Sequence, residues 1–246
     1  MTIESEFDLE GMKRIGKIVA KVRDEMVKSV HAGITTKGLD NIGEKFLHRY
    51  EAKSAPKCEY DFPAATCISI NDEAAHGIPG SRKIKVGDSV NIDVSAVLNG
   101  YYADTGITIV VGENKVKNSL CHSSKKALEA GIDKARAGVM INQIGKAIYS
   151  EAAKRGFTVI KNLTGHGIGR KLHEEPDYIL NYYDCRDNQI LNEGLVLAIE
   201  TFLSTGAQFA VEDEDGWTLK TIDGSIVAQF EHTIVVTKEE PIILTA

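Results

Sequence analysis

The stretch GDSVNIDVSAVLNGYYAD, residues 87–104, decides the architecture. Val90, Ile92 and Val94 alternate with Asn91, Asp93 and Ser95. Period-two alternation of β-branched residues predicts a strand. Asn99-Gly100 is a strong hairpin-turn signal. Tyr101-Tyr102-Ala103 then opens a return strand carrying Asp104. Two acids on paired strands inside an apolar frame repel each other if both are buried and bare. A bound cation is the usual remedy.

Outward from this hairpin, the chain alternates helices and strands. Asp8 reads as an N-cap for a long amphipathic helix through Leu9, Met12, Ile15, Val19, Val22, Met26 and Val30, ending near Ala32-Gly33. A second helix starts at Thr35 or Thr36. Residues 54–66, with Pro56 and Pro63, read as loop, and CISIND, 67–72, as a short strand. Helices are expected over 115–136 and again from Ile141. LTGHGIGR, 163–170, reads as a glycine-rich loop, and 174–193 as irregular. GLVLAIETFLS, 194–204, and IVAQFEHTIVVT, 226–237, read as apolar strands carrying Glu200 and Glu231, with a hairpin over 211–225.

The two halves, roughly 1–112 and 113–246, echo each other. AGITTKGLDNIG, 32–43, resembles AGVMINQIG, 137–145, and HGIP, 76–79, resembles HGIG, 166–169. Gly87 precedes Asp93 of VNID by the same spacing with which Gly194 precedes Glu200 of LAIE. A second acid follows in each half, Asp104 and Glu231. An α/β fold is expected, with a pseudo-twofold duplicated antiparallel sheet and helices on one face. The whole chain, 1–246, then forms a single domain with the four acids converging mid-sheet.

Composition narrows the function classes. With 43% apolar and 26% charged residues, the chain reads as an ordinary globular protein with a large core. Its net charge of −6 argues against specific nucleic-acid or anionic-membrane binding. No apolar run is long enough to span a bilayer, and no secretory leader is visible. Cys58, Cys67, Cys121 and Cys185 form no CxxC pair. A cytoplasmic protein with reduced thiols is expected.

Four carboxylates in one cleft are neutralised by two divalent cations. An oxygen-rich set with one or two imidazoles suits Mn, Fe or Co at least as well as Zn. Two metals roughly 3.5–4 Å apart can hold a bridging hydroxide and polarise a carbonyl, which is amide-hydrolysis chemistry. Taken singly, each acid reads as a solvated or salt-bridged strand residue; taken together, with apolar flanks on each, they read as a ligand set. His76, His166 and His173 lie in loops, whereas His31, His48 and His122 lie on helix surfaces. His232 follows Glu231 on a strand and points to the opposite face. GHGIGR does not match a dinucleotide fingerprint, because Arg170 occupies the last glycine position.

CISINDEAAHGIPG, GDSVNIDVSAVLNGYYADTG, LTGHGIGRKLHEEP, LAIET and AQFEHT resemble the type I methionine aminopeptidases over nearly the whole chain. The resemblance implies the pita-bread fold and removal of the initiator methionine from nascent proteins when the next residue is small. By motif, Asp93 resembles the ligand of one metal, His166 and Glu200 those of the other, and Asp104 and Glu231 the bridging carboxylates. Two divalent ions (Co, Mn, Fe or Zn) are implied. His76 and His173 resemble the substrate-contacting histidines; His173 would donate to the scissile carbonyl, and Glu200 would also act as general base. Phe62, Cys67 and Trp217 match positions lining the methionine pocket, although as core aromatics Phe62 and Trp217 are equally natural. The partners implied are nascent N-termini near the ribosome, and a monomer is expected.

One departure is Thr201, where the family usually has proline after the metal-binding glutamate; altered strand rigidity is expected. Creatinases and Xaa-Pro aminopeptidases share the fold and ligand set but typically carry an additional N-terminal domain. A non-catalytic binding relative would have lost ligands, and all five are present.

Overall fold

A computed structural model describes residues 1–246. Helix α1 spans Glu6–Ser29, and its N-cap is Ser5 rather than Asp8. The Ser5 hydroxyl accepts from the Asp8 amide, while Asp8 lies in the first turn, where an acid complements the helix dipole. Asp8 also accepts hydrogen bonds from Tyr101 and Arg170. Helix α2, Thr36–Arg49, is capped by Thr35. After the two-residue strand β1 (Lys53–Ser54) comes a short helix α3, Ala55–Tyr60, within the stretch expected to be loop. Pro56 stands in its first turn, where a missing N–H removes no helical bond.

Strands β2 (Cys67–Ile70) and β3 (Glu73–Ala75) precede the long hairpin of β4 (Ser89–Leu98) and β5 (Tyr101–Val110). Asn99 and Gly100 both adopt positive φ, as a tight hairpin turn requires. Helix α4, Lys115–Ile132, ends one turn earlier than periodicity suggests, and α5 spans Asn142–Lys154. Then come β6 (Thr158–Val159), β7 (Gly165–Gly167), β8 (Glu174–Ile179), β9 (Val196–Ser204), β10 (Val211–Glu212), β11 (Leu219–Lys220), β12 (Val227–Val235) and β13 (Ile242–Ile243). Strands β7 and β8 lie where loop and irregular chain were expected. They are joined by backbone pairing with little alternation of side chains, so periodicity does not announce them.

Every strand pairing is antiparallel. One sheet orders β1-β4-β2 with β5 on β4; another orders β13-β12-β9-β7-β8 with β6 on β9; β10, β11 and β3 form a third. β5 and β12 lie side by side, and threonines join them. Thr233 Oγ1 accepts from the Asp104 amide at 2.9 Å and donates to the Asp104 carbonyl at 2.7 Å. Thr108 Oγ1 treats Gln229 in the same way, accepting at 2.9 Å and donating at 2.8 Å. The helix packing follows the sequence repeat: α1 packs on β4 and β5 as α4 packs on β9 and β12.

Two large apolar cores sit between helices and sheet, one centred on Met12, Ile15, Met26, Val90, Ile92 and Val94, the other on Leu120, Leu128, Ile144, Leu197, Ile199 and Ile234. Thr201, at the family's proline position, is fully buried. Its hydroxyl lies 2.9 Å from Ser124 Oγ, so a polar contact ties β9 to α4. No helix is long and apolar enough to cross a membrane.

Candidate metal centre

Asp93 on β4 and Asp104 on β5 are diagonal neighbours on one face, because the register pairs Asp93 with Gly106 and Asp104 with Ser95. Glu200 and Glu231 stand directly opposite each other on β9 and β12. Like charges so placed are destabilising when bare. The contact between β5 and β12 brings the two pairs together. His166 on β7 pairs with Ala198, two positions before Glu200, and so shares its face.

Ligand atoms of Asp104, His166 and Glu231 all lie within 4.8 Å of one another. Asp104 and Glu231 are 7% and 2% exposed, yet Asp104 Oδ1 and Glu231 Oε1 have no hydrogen-bond partner. Such orphaned buried oxygens are rare in native folds and call for an ion or water. Burial, then the neighbouring carboxylates, pushes Asp93, Glu200 and Glu231 well above the usual carboxylate range. Burial lifts Asp104 to about 6. Burial, followed by His173, lowers His166 to about 3, so it is neutral. Its Nδ1 lies 3.0 Å from the Gly167 carbonyl. An N–H there donates to that carbonyl and leaves Nε2 as a bare lone pair, the form a metal requires. This donor set fits hard or borderline divalent cations.

Around these five groups, one cavity of about 280 Å³ is lined by every residue singled out from the sequence: Asp93, Asp104, His166, Glu200 and Glu231, with His76, His173, Phe62, Cys67 and Trp217. Phe62 and Trp217 meet edge to face with centroids 5.1 Å apart. Cys67 pairs with Asp93 across β2 and β4, and burial keeps its thiol protonated. His76 has a positive φ of 55°, an uncommon conformation for a non-glycine residue. Gly77 follows because a Cβ there would stand 2.3 Å from the Ile68 carbonyl. His76 and His173 are exposed to the cavity. The ring of His173 lies 4.2 Å from that of His166, and its Nδ1 is 2.6 Å from Tyr60 Oη.

Sequence reasoning missed three neighbours. Tyr60 lines the cavity from α3, where no pattern marks it. Gln229 donates through Nε2 to Glu231 Oε2 at 3.1 Å and accepts from Asn91 Nδ2 at 2.8 Å. Both stand two positions before an acid on the same strand, a period-two signal that was available. His232 faces away from the acids and lies 2.9 Å through Nδ1 from Thr245 Oγ1. It borders a larger cleft, about 410 Å³, which gathers no comparable ligand set.

The model for metallopeptidase family M24 matches residues 10–238. The chain is 55% identical over 247 residues to methionine aminopeptidase 2 of Bacillus subtilis, covering 100% of this chain and 99% of that one. The solved methionine aminopeptidase of Rickettsia prowazekii superposes with a TM-score of 0.95 at 38% identity, covering 100% of both chains. A prolidase from Pyrococcus furiosus shares the fold, with a TM-score of 0.79 at 21% identity; the match covers 100% of this chain and 65% of the prolidase. With a family match over most of its length and relatives of high identity end to end, this chain belongs to metallopeptidase family M24.

Proposed function

We propose that this protein is a methionine aminopeptidase that removes N-terminal methionine when the second residue is small, using two divalent cations. We assign Asp93, Asp104, His166, Glu200 and Glu231 as the ligands. The observation that carries this reading is a cluster of four buried carboxylates and a neutral imidazole beside a soft apolar pocket. Cations bound there would supply Lewis acidity toward a peptide carbonyl and make deprotonation of water easier.

The chain's own groups divide the remaining work. Glu200 accepts the proton of the attacking water. His173 donates a hydrogen bond to the scissile carbonyl oxygen, where negative charge develops. His76 holds the peptide at its amide. Phe62, Cys67 and Trp217 receive the flexible thioether side chain. The substrate's free α-amine would also be taken up by the cations that the acids and His166 hold, which confines cleavage to the first residue. Residues 1–246 act as one catalytic domain. The substrates are protein N-termini, and the chain works as a monomer.

The prolidase-like alternative has only fold-level support, since that similarity stands at 21% identity. Purified protein supplied with Mn or Co should release methionine from Met-Ala-Ser and leave Ala-Pro intact. Absence of methionine release with every divalent metal tried would overturn the reading.

A further inference from the structure

His173 makes one hydrogen bond to the protein, between its Nδ1 and Tyr60 Oη at 2.6 Å. The phenol and imidazole rings stand 5.5 Å apart at 48°. Tyr60 Oη has no other protein partner. Its backbone is held in place by the short helix α3, which Ser54 caps and Pro56 stiffens. Neighbouring Glu59 accepts a hydrogen bond from Tyr102 Oη at 2.5 Å, and Lys57 reaches Glu44 at 2.5 Å. The hydroxyl is therefore delivered to His173 by an anchored element.

A neutral imidazole carries one N–H, and the bond made by one nitrogen decides the state of the other. If Tyr60 donates to Nδ1, the proton resides on Nε2, the nitrogen with no protein partner. With the opposite polarity, Nε2 would present a lone pair to a carbonyl oxygen, acceptor against acceptor. We propose that Tyr60 is a positioning residue, whose hydroxyl donates to Nδ1 of His173 and holds the imidazole as the Nε2–H tautomer facing the scissile carbonyl. This rests on the role given to His173 above. Because the His173 bond strengthens as charge develops on the oxygen, the effect of Tyr60 falls on kcat more than on KM.

The test uses Tyr60→Phe in zinc-loaded protein with ¹⁵N-labelled histidine. Tyr60 is 44% exposed, and the change removes one oxygen at the cavity rim, outside the core. In the unsubstituted protein, His173 should show an unprotonated Nδ1 and a protonated Nε2. In Tyr60→Phe, the two nitrogen shifts should converge as the tautomers exchange. With Met-Ala-Ser, kcat should fall roughly five- to tenfold, the worth of one neutral hydrogen bond, with KM within about twofold. In a His173→Ala background, Tyr60→Phe should have no further effect.

A protonated Nδ1 in the unsubstituted protein would overturn the proposal. So would an unchanged nitrogen pattern and kcat in Tyr60→Phe, or an equal loss in the His173→Ala background. If the unsubstituted protein releases no methionine, the aminopeptidase reading fails. The nitrogen pattern still decides the Tyr60–His173 bond by itself.

Discussion

Asp104 concentrates the physics of the site in one side chain. It is buried, it has an orphaned oxygen, and three further carboxylates surround it. Asp104→Asn removes a charge without changing shape, so metal-dependent methionine release should disappear while the circular dichroism of the fold is retained. Near-normal turnover in that variant would remove Asp104 from the ligand set. Gln229 supports a second prediction. It bridges Asn91 and Glu231, and a Cβ on Gly106 would approach its amide to 2.0 Å, so the amide has little room to turn. Outer-shell partners of ligands typically contribute 10–100-fold in metal affinity. Gln229→Leu should weaken Mn binding by about that factor in calorimetric titration; unchanged affinity would mean that Glu231 is oriented without it.

At the scale of elements, the junction of β5 and β12 does what the sequence only implied. Side-chain hydroxyls of Thr233 and Thr108 bond the backbone of Asp104 and Gln229, binding the two halves where their acids meet. Thr233→Val keeps the shape and leaves the Asp104 amide and carbonyl short of a partner. A buried group left unsatisfied costs about 1–3 kcal/mol. For a chain of this size that corresponds to a fall in Tm of roughly 2–10 °C. Methionine release should fall as well, because Asp104 loses its backbone anchor. A variant with unchanged Tm would show that the junction is held by apolar packing alone. Thr201 belongs to the same scale: the position usually occupied by proline instead carries a hydroxyl that meets Ser124 of α4.

For the whole molecule, the acid cluster couples metal, protons and stability. Without cations, burial raises the folded-state pKa of Asp104 to about 6 and holds those of Asp93, Glu200 and Glu231 well above the usual carboxylate range. A carboxyl whose pKa is raised on folding favours the folded state fully below its unfolded pKa. That contribution is lost as pH rises through the folded pKa. The metal-free protein should therefore lose thermal stability as pH climbs from about 4 through 6, as far as this cluster is concerned. Added Mn or Co should restore stability near neutral pH and release protons, raising Tm in proportion to the logarithm of cation concentration. Differential scanning calorimetry with and without chelator measures this. A metal-free Tm that rises steadily from pH 5 to 8 would contradict it.

Much of this was legible in the sequence because it rests on alternation and spacing. The β4–β5 hairpin, the repeated Gly-to-acid spacing and the His-Gly-Ile loops are local patterns that side-chain period exposes, and the residues they single out, Asp93, Asp104, Glu200, Glu231, His76 and His166, line one cavity; His173, Phe62, Cys67 and Trp217, whose roles only the family resemblance implied, line it too. Strands β7 and β8 were not legible, since backbone hydrogen bonds define them and glycines carry no pattern. Helix α3 was not, because Pro56 in its first turn and Pro63 beyond its end read as loop. Tertiary structure alone decided that β5 and β12 adjoin, that Tyr60 reaches His173, and that two oxygens are left without partners. Those facts depend on which surfaces fold against each other, and residues far apart in the chain acquire that relation only when the sheets close.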